Sequence, residues 1–219
     1  MLLMSLITPQ SLDKPRFSKL RCNKKNLLSD LSLCLSRLIN LFYLQVKELC
    51  ALHALNNLFQ KKQAFTKQEL DEICQSLSPD VWINPHRSLL GLGNYDVNVI
   101  MTALQRRGCE AIWFDKRKDP SCLQLDRISG FILNVPSDYR LGFVLLPLRR
   151  KHWVAIRQVA GTYYNLDSKL DSPVLIGLDE ELVTYLRRQL ENKEKELFIV
   201  VSTENSEKWL KQAEEIIPR

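Results

Sequence analysis

From residue 50 onward, apolar residues recur every three or four positions, which is the spacing of an amphipathic helix. Three helices are predicted in this part of the chain, over residues 50–60, 66–78 and 96–107. The second begins with a capping box, Thr66 and Glu69, and its apolar side chains up to Leu77 are expected to face the core. Asp96 is expected to cap the third helix.

Shorter apolar runs after residue 109 are typical of strands. They cover residues 110–115, 130–135, 153–159, 162–167 and 197–201, with a helix at 178–190 before the last of them. Helices followed by a mainly antiparallel sheet make an α+β fold, which is the class we expect. The charged stretch after Thr203 is expected to lie at the periphery.

The clearest hairpin has Ala160 and Gly161 as its two loop residues. Counting outward from that loop places His152, at the start of a strand, diagonally across from Asp167 on one face of the sheet. Such a diagonal spans roughly 7–8 Å, within reach of longer side chains. A slip of one residue would put the two side chains on opposite faces.

Charge is distributed unevenly over the 219 residues, whose net charge is +6. Residues 1–50 hold eight basic and three acidic side chains, whereas the other 169 residues hold 23 and 22. A nucleic-acid interface would need a basic face on the folded body, so no nucleic-acid partner is expected. The 45% hydrophobic and 26% charged composition is usual for one soluble globular domain, alone or with a tail.

The N-terminal segment, residues 1–41, is predicted to be an atypical extension. Its basic start leads into an apolar stretch at 27–46 that Asp30 and Arg37 interrupt. A charge near the centre of a membrane span costs roughly 2.5–3.5 kcal/mol, so a spanning helix is not favoured. Three interpretations stay open: an amphipathic helix packed on the domain or a partner, a targeting or membrane-surface segment, and a segment foreign to the domain.

The six cysteines form no C-x-x-C pair, and their spacing fits no zinc ribbon or finger. No secretory signal is visible near Met1. We therefore expect reduced thiols in a cytoplasmic protein and no metal site.

Cys50 is a candidate nucleophile because it lies at the start of a predicted helix, where the dipole and unpaired amides favour a thiolate. The alternative is a cysteine that is simply buried. Gln45, five residues earlier, could donate to a developing oxyanion together with the backbone N–H of Cys50. The alternative for Gln45 is a polar surface residue.

Three histidines could supply a base. His53 is interpreted as a helix-packing residue and His86 as a solvated loop residue. His152 is the one for which the hairpin register supplies an orienting carboxylate, that of Asp167. The alternative for His152 is a surface strand residue after a basic run.

Four blocks together resemble the Josephin family, papain-like cysteine proteases that cleave ubiquitin. They are Gln45–Asn57, Gly93–Ile100, Arg150–Trp153 and Tyr164–Lys169. The resemblance runs from about residue 43 to residue 201 and looks closest to the short Josephin-domain-containing proteins. The family usually has His-Glu-x-Gln where this chain has Phe42-Tyr-Leu-Gln45.

The resemblance implies that Cys50 is the nucleophile, His152 the general base and acid, Asp167 the orienting residue and Gln45 the oxyanion donor. It implies a papain-like catalytic domain over 42–203, followed by a charged tail at 204–219. A helical arm from within 60–93 would help to hold ubiquitin.

The implied enzyme is a deubiquitinase that needs no cofactor and acts as a monomer on ubiquitin and ubiquitinated proteins. Two alternatives remain: a catalytically weak ubiquitin-binding module, and an adaptor tethered to a membrane through residues 27–46.

Overall fold

The computed structural model describes residues 49–79, 86, 95–141 and 144–211. Gln45, the apolar stretch at 27–46, most of the predicted loop at 80–93 and the end of the chain after residue 211 lie outside the described residues.

The described residues form four α-helices and one antiparallel sheet of six strands, which confirms the predicted α+β class. The helices are α1 Cys50–Phe59, α2 Lys67–Leu77, α3 Val97–Gln105 and α4 Asp179–Leu190. The strands are β1 Cys109–Trp113, β2 Ile128–Leu141, β3 Val144–Val159, β4 Thr162–Leu166, β5 Val174–Gly177 and β6 Glu196–Ser202. Their order in the sheet is β1-β6-β2-β3-β4-β5.

Both faces of the sheet are covered. Helices α1, α2 and α3 pack on one face, where Leu55 and Ile132 are fully buried in the same cluster. Helix α4 packs on the other face through Leu182 and Leu186. Strand β6 lies between the two clusters, so its residues 197–201 are all buried and all apolar.

The helix starts follow the local sequence signals. The Thr66 side chain accepts the Glu69 N–H at 3.1 Å, and the Asp96 side chain accepts the Val99 N–H at 3.2 Å, so both predicted caps are confirmed. The prediction for Leu77 is wrong, because this side chain is 36% exposed. Leu77 lies one turn beyond Ile73, where the buried face of α2 ends.

The β3–β4 hairpin has the predicted two-residue loop. Ala160 and Gly161 have φ values of 50° and 82°, and a type I′ turn requires positive φ at both positions. The ladder then runs from Val159–Thr162 to Ala155–Leu166. The predicted register is therefore confirmed.

Strands β2 and β3 are longer than predicted and pair with each other as far as Leu141 and Val144. His152 consequently lies inside β3 rather than at its start. Proline at 136 and the basic run at 149–151 are unfavourable signals for a strand, which explains why sequence periodicity missed this extension.

The chain after β6 remains attached to the domain up to residue 211. The Gln124 N–H donates to the Trp209 carbonyl at 2.8 Å, and the Lys211 N–H donates to the Cys122 carbonyl at 2.9 Å. Trp209 packs against the α4 side of the core. Across the described ranges, no helix combines the length and apolar character needed to cross a membrane.

Candidate active site

Cys50 is the first residue of α1, and its side chain is only 6% exposed. The helix packs on β3, which brings the thiol to the backbone of that strand. The backbone N–H groups of Trp153 and Ala51 lie near the sulfur and lower its pKa. Amides at a helix start have no intrahelical acceptor, so the site is prepared to hold a negative charge.

The pKa of the Cys50 thiol is below its ordinary value. Burial acts in the opposite direction and raises it. Burial is outweighed by the proximity and charge of His152 and by the backbone N–H groups of Trp153 and Ala51. These contacts therefore favour ionisation of the thiol although water is largely excluded.

The His152 side chain is 4% exposed and lies between two partners. Its Nε2 lies 2.5 Å from Asp167 Oδ1, so Nδ1 is the nitrogen left to face the Cys50 thiol. Burial lowers the pKa of the imidazole, but the hydrogen bonds and charges of Asp167 and Cys50 raise it above its ordinary value. Both pKa values are thus shifted in the direction of a thiolate beside an imidazolium.

Asp167 directly follows β4, where the chain leaves the sheet. Its N–H donates to Asn165 Oδ1 at 3.0 Å, and its Oδ1 accepts the Lys169 N–H at 2.9 Å. Burial raises the pKa of this carboxyl, but the hydrogen bond and charge of His152 and the contacts of Lys169 lower it below its ordinary value. Asp167 is therefore held as a carboxylate aimed at the ring.

The structure thus brings together Cys50, His152 and Asp167, three of the four predicted site residues. The contact expected from the hairpin register is present, although residue 167 lies just past the last paired residue of β4. Gln45 lies outside the described residues.

Several supporting residues were missed by the sequence analysis. Asn57 is buried in α1, and its Nδ2 donates to the Leu166 carbonyl at 2.9 Å, which ties the helix of the thiol to the strand end before Asp167. Asn165 Nδ2 donates to the Tyr185 hydroxyl at 3.2 Å. A polar Asn56–Asn57 pair within an otherwise apolar helix face was the signal that could have indicated a buried contact.

Tyr185, on α4, closes the network behind Asp167. Burial raises the pKa of its phenol to about 12, and the nearby charge of Asp167 adds to this effect. The phenol therefore stays protonated and leaves the negative charge on the carboxylate.

Of the other two histidines, one lies on α1 and the other contacts the start of α3. His53 is half-buried on α1, in agreement with its interpretation as a helix residue. The interpretation of His86 as a solvated residue is wrong, because its side chain is 17% exposed and its Nδ1 lies 2.8 Å from Asp96 Oδ2. The carboxylate that caps α3 is also the partner of this ring.

The described ranges contain four cysteines, Cys50, Cys74, Cys109 and Cys122, and no disulfide joins any two of them. Burial raises the pKa of the Cys109 and Cys122 thiols, so neither is activated. Within the part of the chain that the structure describes, no group of three or more His, Cys, Asp or Glu could hold a metal ion.

The arrangement of Cys50, His152 and Asp167 supports nucleophilic attack by a thiolate, with an oriented imidazole to transfer protons.

Comparison with known proteins gives one family and a set of relatives. The family model described as Josephin matches residues 45–201. A Josephin-like protein of Drosophila melanogaster is 51% identical over 176 residues, which cover 80% of this chain and 79% of that protein. Josephin-2 of Homo sapiens is 53% identical over 166 residues, or 75% of this chain and 88% of that protein.

A more distant relative is ataxin-3 of Homo sapiens, which is 29% identical over 175 residues. The alignment covers 71% of this chain and 44% of ataxin-3. The matched family region contains Cys50, His152 and Asp167 and begins at Gln45.

Proposed function

The chain belongs to the Josephin family, and we propose that it is a thiol-dependent deubiquitinase that cleaves the bond after the C-terminal glycine of ubiquitin. The family is known for cysteine-protease deubiquitinases. The observation that carries the proposal is the Cys50 thiol at a helix start, beside the His152 imidazole, whose Nε2 lies 2.5 Å from Asp167 Oδ1.

In the proposed first step, the Cys50 thiolate attacks the glycine carbonyl carbon and forms a C–S bond. Protonated His152 gives its proton to the departing lysine amine as the C–N bond breaks, which leaves ubiquitin as a thioester on the enzyme. His152, now neutral, takes a proton from water. The resulting hydroxide displaces the thiolate, and ubiquitin is released with a free carboxylate.

The negative oxygen formed in each step needs hydrogen-bond donors. The backbone N–H of Cys50 belongs to the first turn of α1 and has no intrahelical acceptor, so it can donate to this oxygen. We propose the side-chain amide of Gln45 as the second donor, by its spacing from Cys50 and the resemblance.

The proposal extends to partners and location. Ubiquitin and ubiquitinated proteins are the proposed partners, with the protein acting as a cytoplasmic monomer that needs no cofactor. The reduced state expected of six cysteines without a paired pattern supports the location.

The test is labelling with ubiquitin that carries an electrophile at its C-terminus, followed by peptide mapping of the adduct. We expect one adduct, on Cys50, and none in Cys50→Ala. Cys109→Ala is the matched control, because the Cys109 thiol is half-exposed and its pKa is raised. The Cys109→Ala variant should be labelled like the wild type. An adduct on another cysteine, or no adduct at all, would contradict the proposal.

A further inference from the structure

The carboxylate of Asp167 is aimed at His152 from a point where the sheet ladder has ended. The β3–β4 ladder stops at the pair Ala155–Leu166, and the β4–β5 ladder stops at Asn165. The backbone N–H of Asp167 lies outside both ladders and needs another acceptor. The direction of this carboxylate therefore depends on a contact that the sheet does not supply.

The side chain of Asn165 supplies that contact. Its Oδ1 accepts the Asp167 N–H at 3.0 Å. The Nδ2 of the same amide is then left as a donor, and it donates to the Tyr185 hydroxyl at 3.2 Å. An amide that is bonded at both ends is held in one orientation. The Tyr185 hydroxyl thereby keeps the oxygen of Asn165 turned toward the backbone of Asp167.

Tyr185 is in turn held by the packing of α4. It lies on this helix between Leu182 and Leu186, which are fully buried against the sheet, and its own ring packs on the same cluster. Helix α4 and helix α1, which carries Cys50, cover opposite faces of the sheet. Tyr185 thus reaches the site from the face opposite to the helix of the thiol.

We propose that Tyr185 is a positioning residue for the reaction, acting through Asn165 to hold the backbone of Asp167 and aim its carboxylate at His152. The inference rests on the proposed function. The contacts are continuous, because the hydroxyl holds the amide, the amide holds the Asp167 N–H, and Asp167 Oδ1 lies 2.5 Å from His152 Nε2. A carboxylate that turns away from the ring stabilises the imidazolium less. The ring would then keep the proton for the leaving amine only at lower pH.

Tyr185→Phe is the variant that isolates the hydroxyl, because it keeps the ring and removes the oxygen that accepts the Asn165 N–H. Tyr163→Phe is the matched control. Tyr163 packs in the same cluster and its phenol also has a pKa raised to about 12, but the Asn165 amide bonds to Tyr185 and Asp167 instead. Asn165→Leu keeps the size of the amide side chain and removes both of its hydrogen bonds.

Two measurements are made on the full-length wild type, on each variant and on the double variant of Tyr185→Phe with Asn165→Leu. Turnover of a ubiquitin C-terminal amide across a range of pH gives kcat, KM and the two limbs of kcat/KM. Alkylation of Cys50 by iodoacetamide, mapped by mass spectrometry, gives the reactivity of the thiol without ubiquitin.

We expect kcat of Tyr185→Phe to fall about twofold to tenfold, the range for one lost hydrogen bond, with KM unchanged. The alkaline limb of kcat/KM should move to lower pH, because the pKa of His152 is raised less, while the acidic limb stays in place. Alkylation of Cys50 at neutral pH should slow by about twofold or more, since the ring carries its positive charge less often. Tyr163→Phe should match the wild type in both measurements.

The double variant tests whether the hydroxyl acts through the amide. Asn165→Leu removes two hydrogen bonds and should lower kcat about tenfold or more. Adding Tyr185→Phe to it should lower kcat by no more than about a further twofold, because the amide through which the hydroxyl acts is already gone. If Asn165→Leu does not fold, Asn165→Ala takes its place with the same expectation.

Three outcomes would overturn the inference. The first is a Tyr185→Phe variant with the kcat and the alkaline limb of an active wild type. The second is an equal shift in Tyr163→Phe, which would assign the effect to packing around α4. The third is a double variant in which the two losses multiply, because the hydroxyl would then act independently of Asn165.

Failure of the proposed function is seen separately, as a wild type that does not turn over ubiquitin amides. In that event alkylation of Cys50 still tests the positioning role. Slower alkylation in Tyr185→Phe than in Tyr163→Phe would support it, and equal rates would overturn it together with the proposed function.

Discussion

The described part of the chain contains two histidine–aspartate pairs with different surroundings. The His152–Asp167 contact is 2.5 Å and the His86–Asp96 contact is 2.8 Å, so distance alone hardly separates them. The His152 ring also faces a thiol at the start of α1. In contrast, the Asp96 carboxylate also accepts the Val99 N–H and thereby caps α3.

A cysteine lies near the second pair as well. Cys74 is inside α2, and its thiol donates to the backbone carbonyl of His86 at 3.8 Å. A thiol in a helix interior is surrounded by amides that already bond to carbonyls of the helix, so it lacks the unpaired amides of a helix start. The comparison teaches that a histidine–aspartate contact defines a reactive site only when the ring meets a thiol at a helix start.

The largest expected effect separates the two cysteines. Cys50→Ala should reduce hydrolysis of a ubiquitin amide by roughly 10⁴-fold or more, because it removes the nucleophile. Cys74→Ala should keep kcat within about threefold and should lower only stability, because it removes a buried sulfur from the core. Steady-state kinetics on both variants measure which of the two thiols is the nucleophile. Comparable losses of kcat would show that the two thiols had been distinguished wrongly.

The next effect separates the two histidines. His152→Ala should lower turnover roughly 10²–10⁴-fold, the usual contribution of a general acid–base group. It should also slow alkylation of Cys50 by iodoacetamide at neutral pH about tenfold, because the thiol returns toward an ordinary pKa. His86→Ala serves as the control and should leave that alkylation rate unchanged. An equal slowing in both variants would contradict the assignment of the base.

A smaller effect concerns pH. The thiolate–imidazolium pair exists above the lowered pKa of Cys50 and below the raised pKa of His152. Asp167→Asn removes the charge that raises the pKa of His152. The alkaline limb of kcat/KM should therefore move to lower pH, while the acidic limb stays in place.

The amide oxygen at position 167 can still orient the ring, because both ring nitrogens of an imidazolium are donors. Asp167→Asn should thus stay within about tenfold of the wild type at its optimum, with a larger loss in Asp167→Ala. Complete pH profiles of both variants provide the measurement. Equal and severe losses would instead favour a neutral thiol–imidazole ground state.

The smallest effect concerns the second pair and is one of stability. Asp96→Ala removes the cap of α3 and the partner of His86, and should lower the free energy of unfolding by about 1–2 kcal/mol. Asp96→Asn retains a capping oxygen and should lose less. Urea denaturation of the three proteins measures the difference. If Asp96→Ala lowers the free energy of unfolding no more than Asp96→Asn does, Asp96 does not stabilise the helix start.

The sequence predicted the features that depend on nearby residues. The caps at Thr66 and Asp96 follow from signals three residues long, and the loop at Ala160–Gly161 determines the register that joins His152 to Asp167. A short hairpin thus placed two of the site residues before any tertiary contact had to be known.

The features that were missed depend on contacts distant in the chain. Asn57 bonds to the carbonyl of a residue 109 positions away, and periodicity contains no information about that partner. The four-residue strand β5 is too short to show a pattern, and it exists because β4 offers a free edge. That Asn134 Oδ1 has no partner in the described part of the chain likewise depends on what three strands bring together.

The separation of Cys50 from His152 in the chain has a consequence for synthesis. The chain is synthesised from its N-terminus, so the thiol is made about 100 residues before the ring that activates it. The β3–β4 hairpin can form locally and pair His152 with Asp167 while α1 is still undocked. A nascent or partly unfolded chain therefore holds an ordinary thiol and an oriented base that do not meet. Its nucleophile becomes activated only when α1 docks on β3, so the reactivity of the thiol reports the docking of these two elements.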